Sequence, residues 1–146
     1  KLPTLAAHFQ KMMKADAGNI RLFDGVPEML KAVHASGAKI AIVSSNSEEN
    51  IRIVLGPELC ALVSRFSCGA SVFGKATKFK KVLAAMSVKP AEALSIGDET
   101  RDIDAAREIG MATGAVCWGY TNAGALKAYG PTHVLETVLD IPAVVA

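Results

Sequence analysis

The sequence predicts an α/β fold with a Rossmann-like, doubly wound parallel sheet. Short apolar runs alternate along the chain with amphipathic stretches, and turn residues separate the two. The amphipathic stretches are roughly ten residues long, which suits the helices of βαβ crossovers and therefore predicts parallel strands. The chain has 146 residues, of which 51% are hydrophobic and 21% charged. That length and composition fit one packed domain.

The predicted strands are apolar runs, and the predicted helices have an apolar face or a recognisable end. Pro27 favours the first turn of a helix, while Gly37 and Gly110 favour helix ends. The predicted strands are residues 39–43, 65–68, 93–96, 112–118 and 133–135. The predicted helices are residues 27–36, 48–55, 57–63, 77–86, 100–109 and 123–129, followed by a C-terminal helix.

The first residues differ from the rest of the chain in their pattern of apolar residues. Apolar residues at Leu5, Phe9, Met12 and Met13 lie roughly on one helical face, and residues 2–17 contain no obvious strand. We therefore expect a helical element before the sheet.

Charge and cysteine usage exclude several classes of protein. Sixteen basic and fourteen acidic residues give a net charge of +2, too balanced for a nonspecific nucleic-acid binder or a polybasic membrane protein. Aromatic residues make up only 5%, which disfavours a base-stacking surface. The three cysteines form no Cys-x-x-Cys pair and no paired framework, which favours a reducing compartment. We expect a cytoplasmic protein with neither nucleic acid nor membrane as partner.

Polar residues follow the predicted strands, where parallel sheets bind ligands. Residues 44–46 are Ser-Ser-Asn and follow the strand 39–43, whereas Asp98 and Asp102 follow the strand 93–96. The two aspartates are one helical turn apart, so both can face one point. Lys75 lies in a loop between these strands. Hydroxyls, a lysine and carboxylates suit a phosphate group and Mg²⁺, which prefers oxygen ligands.

Lys75 competes with three other lysines for this assignment. Lys78, Lys80 and Lys81 follow it closely, and a run of lysines is usually a solvated helix face. Lys75 is favoured because it follows Phe73 and Gly74 in the loop.

Three segments resemble motifs two, three and four of the haloacid dehalogenase-like hydrolase superfamily. They are residues 42–46 (Ile-Val-Ser-Ser-Asn), 74–75 (Gly-Lys) and 97–102 (Gly-Asp-Glu-Thr-Arg-Asp). Residues 25–30 resemble the segment that re-enters the core after an inserted helical cap, and Gly119-Tyr120 with the Ala-rich helix after it resembles phosphoglycolate phosphatase-like members. The resemblance covers residues 20–140 and implies the core fold of this superfamily with the remnant of a helical cap.

The resemblance also implies a chemistry, namely Mg²⁺-dependent transfer of a phosphoryl group from a small phosphorylated metabolite to an aspartate, then to water. Carried over by position, Ser44 hydrogen-bonds the phosphate and Lys75 neutralises charge on the nucleophile and the phosphoryl group. Asp98 ligates Mg²⁺, and Asp102 ligates the ion or orients it from the outer coordination sphere. Ser45 and Asn46 either bind substrate or cap the next helix.

The first motif of the superfamily, a buried strand ending Asp-x-Asp, has no counterpart before Ser44. Asp102 and Asp104 have that spacing but lie within the fourth motif, and Asp24 has Leu22 and Val26 where a second aspartate is required. We therefore expect a core without its first strand, in the C-terminal part of a longer protein. Residues 1–19 would be the end of a cap and its linker, and residues 20–146 the core. The N-terminal part of the same protein would supply the nucleophile, and the chain alone would be inactive.

Other interpretations remain open. Asp98 and Asp102 could simply favour a helix start electrostatically. The alternative function is a catalytically incomplete domain with a binding or assembly role. A nucleotide-binding domain is disfavoured, because the sequence has neither Gly-x-Gly-x-x-Gly nor a P-loop.

Overall fold

The computed structural model describes residues 4–8, 13–16, 19–22, 24–44, 46–69, 74–97, 100–116 and 123–145. The strands are β1 Thr4–His8, β2 Met13–Asp16, β3 Asn19–Leu22, β4 Lys39–Val43, β5 Arg65–Ser67, β6 Ala93–Gly97, β7 Ala112–Val116 and β8 His133–Leu135. The α-helices are α1 Val26–Ala35, α2 Glu48–Cys60, α3 Lys75–Ala85, α4 Thr100–Ile109, α5 Ala123–Ala128 and α6 Ile141–Val145, with 3₁₀ turns at Pro90–Glu92 and Val138–Asp140.

Six strands form one sheet in the order β5-β4-β1-β6-β7-β8. Every neighbouring pair in it is parallel, which confirms the predicted fold class. The five strands predicted after residue 38 are all present in this sheet, and β7 ends two residues earlier than expected. Consequently the carboxyl ends of β4, β5 and β6 lie at one edge, the edge where the sequence places its polar residues.

Helices cover both faces of the sheet, as a doubly wound fold requires. Side chains alternate between the faces along a strand, and in β4 Ile40 and Ile42 join an apolar cluster with α1 and α2, whereas Ala41 and Val43 join a second cluster with α3 and α4. The core is therefore split in two by the sheet. Within the described ranges, no helix combines the length and apolar character needed to cross a lipid bilayer.

The N-terminal residues correct one of the sequence-based predictions. Residues 2–17 were predicted to be helical, but Thr4–His8 forms β1 and lies between β4 and β6, with Ala7 opposite Ile42 on one side and Ile96 on the other. Met13–Asp16 and Asn19–Leu22 form an antiparallel pair. Thr4–His8 thus occupies the central position of the sheet in this structure, while the division into a cap remnant (1–19) and a core without its first strand (20–146) stays a prediction.

The physical reason is the backbone. A gap between β4 and β6 would leave two rows of buried N–H and C=O groups without partners. Pairing with β1 satisfies those groups. The hydrogen bonds gained in this way outweigh the helical preference of residues 2–17, which rests on only four apolar residues and has no capping signal. Thr4–His8 belongs to the sheet, while the cap assignment of the other N-terminal residues stays a prediction.

The two helices predicted at residues 48–55 and 57–63 are present as the two helical parts of α2, which are separated by a non-helical residue at Gly56 (φ 79°, ψ 162°). The second part ends at Cys60, three residues earlier than predicted. Glycine adopts this positive φ without the steric penalty that a side chain brings, so the chain turns at Gly56 before Pro57 begins the last turn.

Candidate active site

Ser44 follows β4 directly and is fully buried. Its backbone N–H donates a hydrogen bond to the carbonyl of Ser67 (3.0 Å), which continues the pairing of β4 with β5. Its Oγ accepts a hydrogen bond from the N–H of Asn46 (3.1 Å). Since a hydroxyl both donates and accepts, this contact leaves the hydroxyl hydrogen for another acceptor, such as a phosphate oxygen.

Asn46 makes the contacts of a helix start. Its Oδ1 accepts hydrogen bonds from the N–H of Ser47 (2.9 Å) and from Nδ2 of Asn50 (3.2 Å). Ser47 is the N-cap of α2, and its Oγ accepts from the N–H of Asn50 (3.2 Å). The capping role that the sequence left open is therefore present, and substrate binding by Asn46 stays a prediction. Ser45 lies outside the described residues.

Lys75 and Asp102 are brought together by α3 and α4. Lys75 is the first residue of α3, where Gly74 (φ 91°) turns the chain into the helix. Its Nζ donates a hydrogen bond to Oδ1 of Asp102, 27 residues away in the sequence. The side chain of Asp102 is 3% exposed and that of Lys75 is 19% exposed. The lysine thus neutralises a buried carboxylate, which is the requirement for burying such a group.

Asp102 also lies against the carboxyl end of β6. A Cβ added to Gly97, the last residue of that strand, would stand 2.5 Å from Oδ2 of Asp102. The carboxylate is therefore close to the backbone from which Asp98 follows. Asp98 itself lies outside the described residues.

Lys78 is the site residue that the sequence analysis assigned to a solvated face. Its Nζ donates hydrogen bonds to the carbonyl of Ser44 (2.8 Å) and to the carbonyl of Gly69 (2.6 Å). Burial lowers the pKa of Lys78, and the positive charge of Lys75 lowers it further, while Cys68 acts in the opposite direction. Its spacing from Lys75, one helical turn, was the available signal, because residues i and i+3 share a helix face.

Two described residues of this site have oxygen atoms of the kind that bind a hard cation. Asp102 offers carboxylate oxygens and Ser44 a hydroxyl, and Mg²⁺ binds oxygen ligands while keeping several waters. In the described part of the chain, no three His, Cys, Asp or Glu side chains are grouped to hold a metal. Magnesium would therefore need Asp98, water and the phosphate group as further ligands.

A nucleophilic carboxylate is absent from the described strand at the centre of this edge. β1 has the sequence Thr-Leu-Ala-Ala-His, and no Asp-x-Asp precedes Ser44 in the sequence. Asp16 lies in β2 and Asp24 is exposed in the turn before α1. The described residues thus bring a hydroxyl and two ammonium groups to this edge, but the described strand β1 carries no carboxylate.

Comparisons with known proteins agree with this fold and these motifs. Over 123 residues the chain is 34% identical to phosphoglycolate phosphatase of Synechococcus elongatus, covering 84% of this chain and 58% of that protein. It is 27% identical over 128 residues to pyrophosphatase PpaX of Anoxybacillus flavithermus, covering 84% and 59%. The chain thus spans less than two thirds of the length of these curated relatives.

Solved structures show the same fold. A haloacid dehalogenase-like hydrolase from Streptococcus pneumoniae superposes with a TM-score of 0.76 at 21% identity, covering 87% of this chain and 61% of that one. The sequence model of the haloacid dehalogenase-like hydrolases matches residues 1–116, a range that includes all three motif segments. On this match, the chain belongs to the haloacid dehalogenase-like hydrolase family and lacks the Asp-x-Asp of its first motif.

Proposed function

We propose that this chain is the phosphate- and metal-binding part of a magnesium-dependent phosphatase that hydrolyses a small phosphomonoester. The observation that carries the proposal is the first turn of α3. From that turn Lys75 binds Asp102, and Lys78 binds the carbonyl of Ser44. A buried hydroxyl after β4, a buried carboxylate on α4 and two ammonium groups on α3 therefore come to one edge of the sheet, where parallel α/β proteins bind ligands.

Each group has a part in the proposed reaction. The hydroxyl of Ser44 donates a hydrogen bond to a phosphoryl oxygen, and Lys75 offsets negative charge that develops there. Asp98 and Asp102 hold the magnesium ion, which supplies positive charge to the phosphoryl oxygens when bound. An aspartate from an N-terminal part of the same protein attacks phosphorus, and the leaving alcohol takes its proton from the second aspartate of that Asp-x-Asp. Water then gives a proton to the same second carboxylate, attacks the aspartyl-phosphate, releases orthophosphate and restores the first aspartate.

The relatives support a substrate in the class of small phosphate compounds. The two curated proteins above are named a phosphoglycolate phosphatase and a pyrophosphatase. Of these, the phosphoglycolate phosphatase is the more similar, so we propose the phosphoglycolate phosphatase-like type. A cytoplasmic location is part of the proposal, supported by the free thiols of Cys60 and Cys68.

The experiment is a phosphate-release assay on the protein expressed with its upstream coding sequence. We expect release to require Mg²⁺ and to fall roughly 10–100-fold or more in Asp98→Asn. The matched control is Glu108→Gln, which alters an exposed carboxylate on α4 and is expected to leave the rate unchanged. Release that ignores both Mg²⁺ and Asp98→Asn would refute the proposal.

The alternative is a catalytically incomplete domain with a binding or assembly role. It is favoured by one observation, that the central strand Thr4–His8 carries no carboxylate. On this alternative, the 146-residue chain binds orthophosphate and Mg²⁺ without turnover, and adding the upstream segment does not produce phosphate release. Mg²⁺-dependent release from the longer protein would exclude it.

A further inference from the structure

The ammonium group of Lys78 joins two loops that follow neighbouring strands. One of its acceptors is the carbonyl of Ser44, directly after β4 (2.8 Å), and the other is the carbonyl of Gly69, two residues after β5 (2.6 Å). The same loops are also linked by the N–H of Gly69, which donates to the carbonyl of Asn46 (2.9 Å). Lys78 and the Gly69–Asn46 hydrogen bond therefore both tie the segment that carries Ser44 to the segment after β5.

The surroundings of Lys78 indicate that its ammonium is held in place rather than solvated. The residue is half-buried, whereas Lys80 on the same helix is exposed. Burial is the largest influence on the pKa of Lys78 and lowers it. Two carbonyl oxygens compensate for the water that the ammonium has lost, since hydrogen bonds with a charged donor are stronger than neutral ones.

The two lysines of the first turn of α3 have different partners. Lys75 is paired with the carboxylate of Asp102 on α4, whereas Lys78 is bound to backbone carbonyls after β4 and β5. Among the described residues, the contact from α3 to the carbonyl of Ser44 therefore comes from Lys78.

We propose that Lys78 is a positioning residue of the phosphate site, one that fixes the loop carrying the Ser44 hydroxyl by binding the carbonyls of Ser44 and Gly69. This inference rests on the proposed function for its ligand. Fixing the backbone of Ser44 keeps its hydroxyl aimed before the phosphate arrives, so less ordering is needed on binding. Without the ammonium, both carbonyls lose a charged donor and the loop must be ordered by the ligand itself.

The experiment compares Lys78→Met with Lys80→Met in the 146-residue chain. The first measurement is amide hydrogen exchange at Asn46 and Gly69, with amides of β4 and β6 as the internal reference. The second is the affinity for orthophosphate in the presence of Mg²⁺, measured by calorimetry below the melting temperature of each variant. Lys78→Gln, whose amide can still donate to one carbonyl, is the second variant if the methionine variant does not fold.

We expect Lys78→Met to speed exchange at Asn46 and Gly69 and to weaken orthophosphate binding, each by about tenfold, the equivalent of one charge-assisted hydrogen bond. Lys80→Met should change neither. Exchange and binding in Lys78→Met that match Lys80→Met would overturn the proposal, as would faster exchange spread equally over β4 and β6. If the unaltered chain does not bind orthophosphate with Mg²⁺, the proposed function fails instead, and the exchange data still decide whether Lys78 holds the two loops.

Discussion

Gly97 and Asp102 lie so close together that no side chain fits at position 97. A Cβ there would be 2.5 Å from Oδ2 of Asp102 and 2.8 Å from its Cβ and Cγ. Gly97 ends β6 and Asp102 lies in the first turn of α4. The glycine before Asp98 therefore has a steric function, because it lets a buried carboxylate pack against the end of the strand.

Replacing Gly97 with alanine should move Asp102 and weaken its bond to Lys75. Crowding in a packed interior usually costs about 1–3 kcal/mol, and the atoms in the way include the Cβ of Asp102, which cannot rotate aside. Urea unfolding of Gly97→Ala measures this loss of free energy. The control is Gly114→Ala in β7, where the nearest atoms are the Cδ1 ends of Ile96 and Leu135. These side chains can rotate, so Gly114→Ala should cost less, and equal costs would contradict the argument.

Removing the charge of Lys75 should destabilise the fold through Asp102. In Lys75→Met, a carboxylate that is 3% exposed loses its neutralising ammonium, which usually costs about 3–5 kcal/mol. Adding Asp102→Asn removes the buried negative charge, so the double variant should be more stable than Lys75→Met alone. Chemical unfolding compares Lys75→Met, Asp102→Asn and the double variant with the unaltered chain. Lys80→Met, which changes an exposed lysine, should alter the free energy of unfolding by less than about 0.5 kcal/mol. A double variant that loses the sum of the two single costs would show that the pair is not coupled.

Cys68 should react slowly with alkylating reagents near pH 8. Burial raises the pKa of the Cys68 thiol above its usual 9.0, and the negative charge of Glu48 raises it further. Because the thiolate is the reacting form, the midpoint of the pH–rate curve for iodoacetamide should lie above 9.0. The measurement requires Cys60→Ser and Cys117→Ser, so that Cys68 is the remaining thiol. Adding Glu48→Gln should lower the midpoint, and an unchanged midpoint would exclude the electrostatic contribution.

Tyr129 should titrate above the usual range of a tyrosine. Its hydroxyl donates to both carboxylate oxygens of Asp104 (2.8 Å each), and this hydrogen bond is the main reason that the pKa of Tyr129 is raised above 10.0. The hydrogen bond stabilises the folded chain below that pH and is lost as pH rises through the raised pKa. Absorbance of tyrosinate in a Tyr120→Phe background measures the midpoint. Asp104→Asn should shift it downward, and a midpoint at the ordinary value in the parent would contradict the geometry.

The strands that end in polar residues could be predicted from the sequence, because each is recognised from residues that are neighbours in the chain. Apolar runs followed by Ser44 and Gly97 predicted strands of the right type and place. The parallel arrangement then requires their carboxyl ends to share one edge of the sheet. Lys75 was selected by its loop position alone, and the structure joins it to Asp102.

The position of residues 4–8 could not be predicted in this way. Their apolar spacing suggested a helix, yet they form β1 between β4 and β6. A central strand forms because it hydrogen-bonds to strands that lie far away in the sequence. Thr4 pairs with Lys39 on one side and with Ala93 on the other, which follow it by more than thirty and more than eighty residues. Local periodicity contains no information about those partners.

The amino-acid pattern by itself therefore determined the fold class, the family and the sheet edge at which the strand-end polar residues lie, since each depends on the order of short segments. Only the tertiary structure decided which side chains meet there. The sequence did not show that Lys78 binds backbone carbonyls, nor that Asp102 packs against Gly97. Lys78 acts through the carbonyls of Ser44 and Gly69, and Gly97 acts through the carboxylate of Asp102. Each of these contacts joins two different elements, so it forms only when the sheet and its helices have packed together.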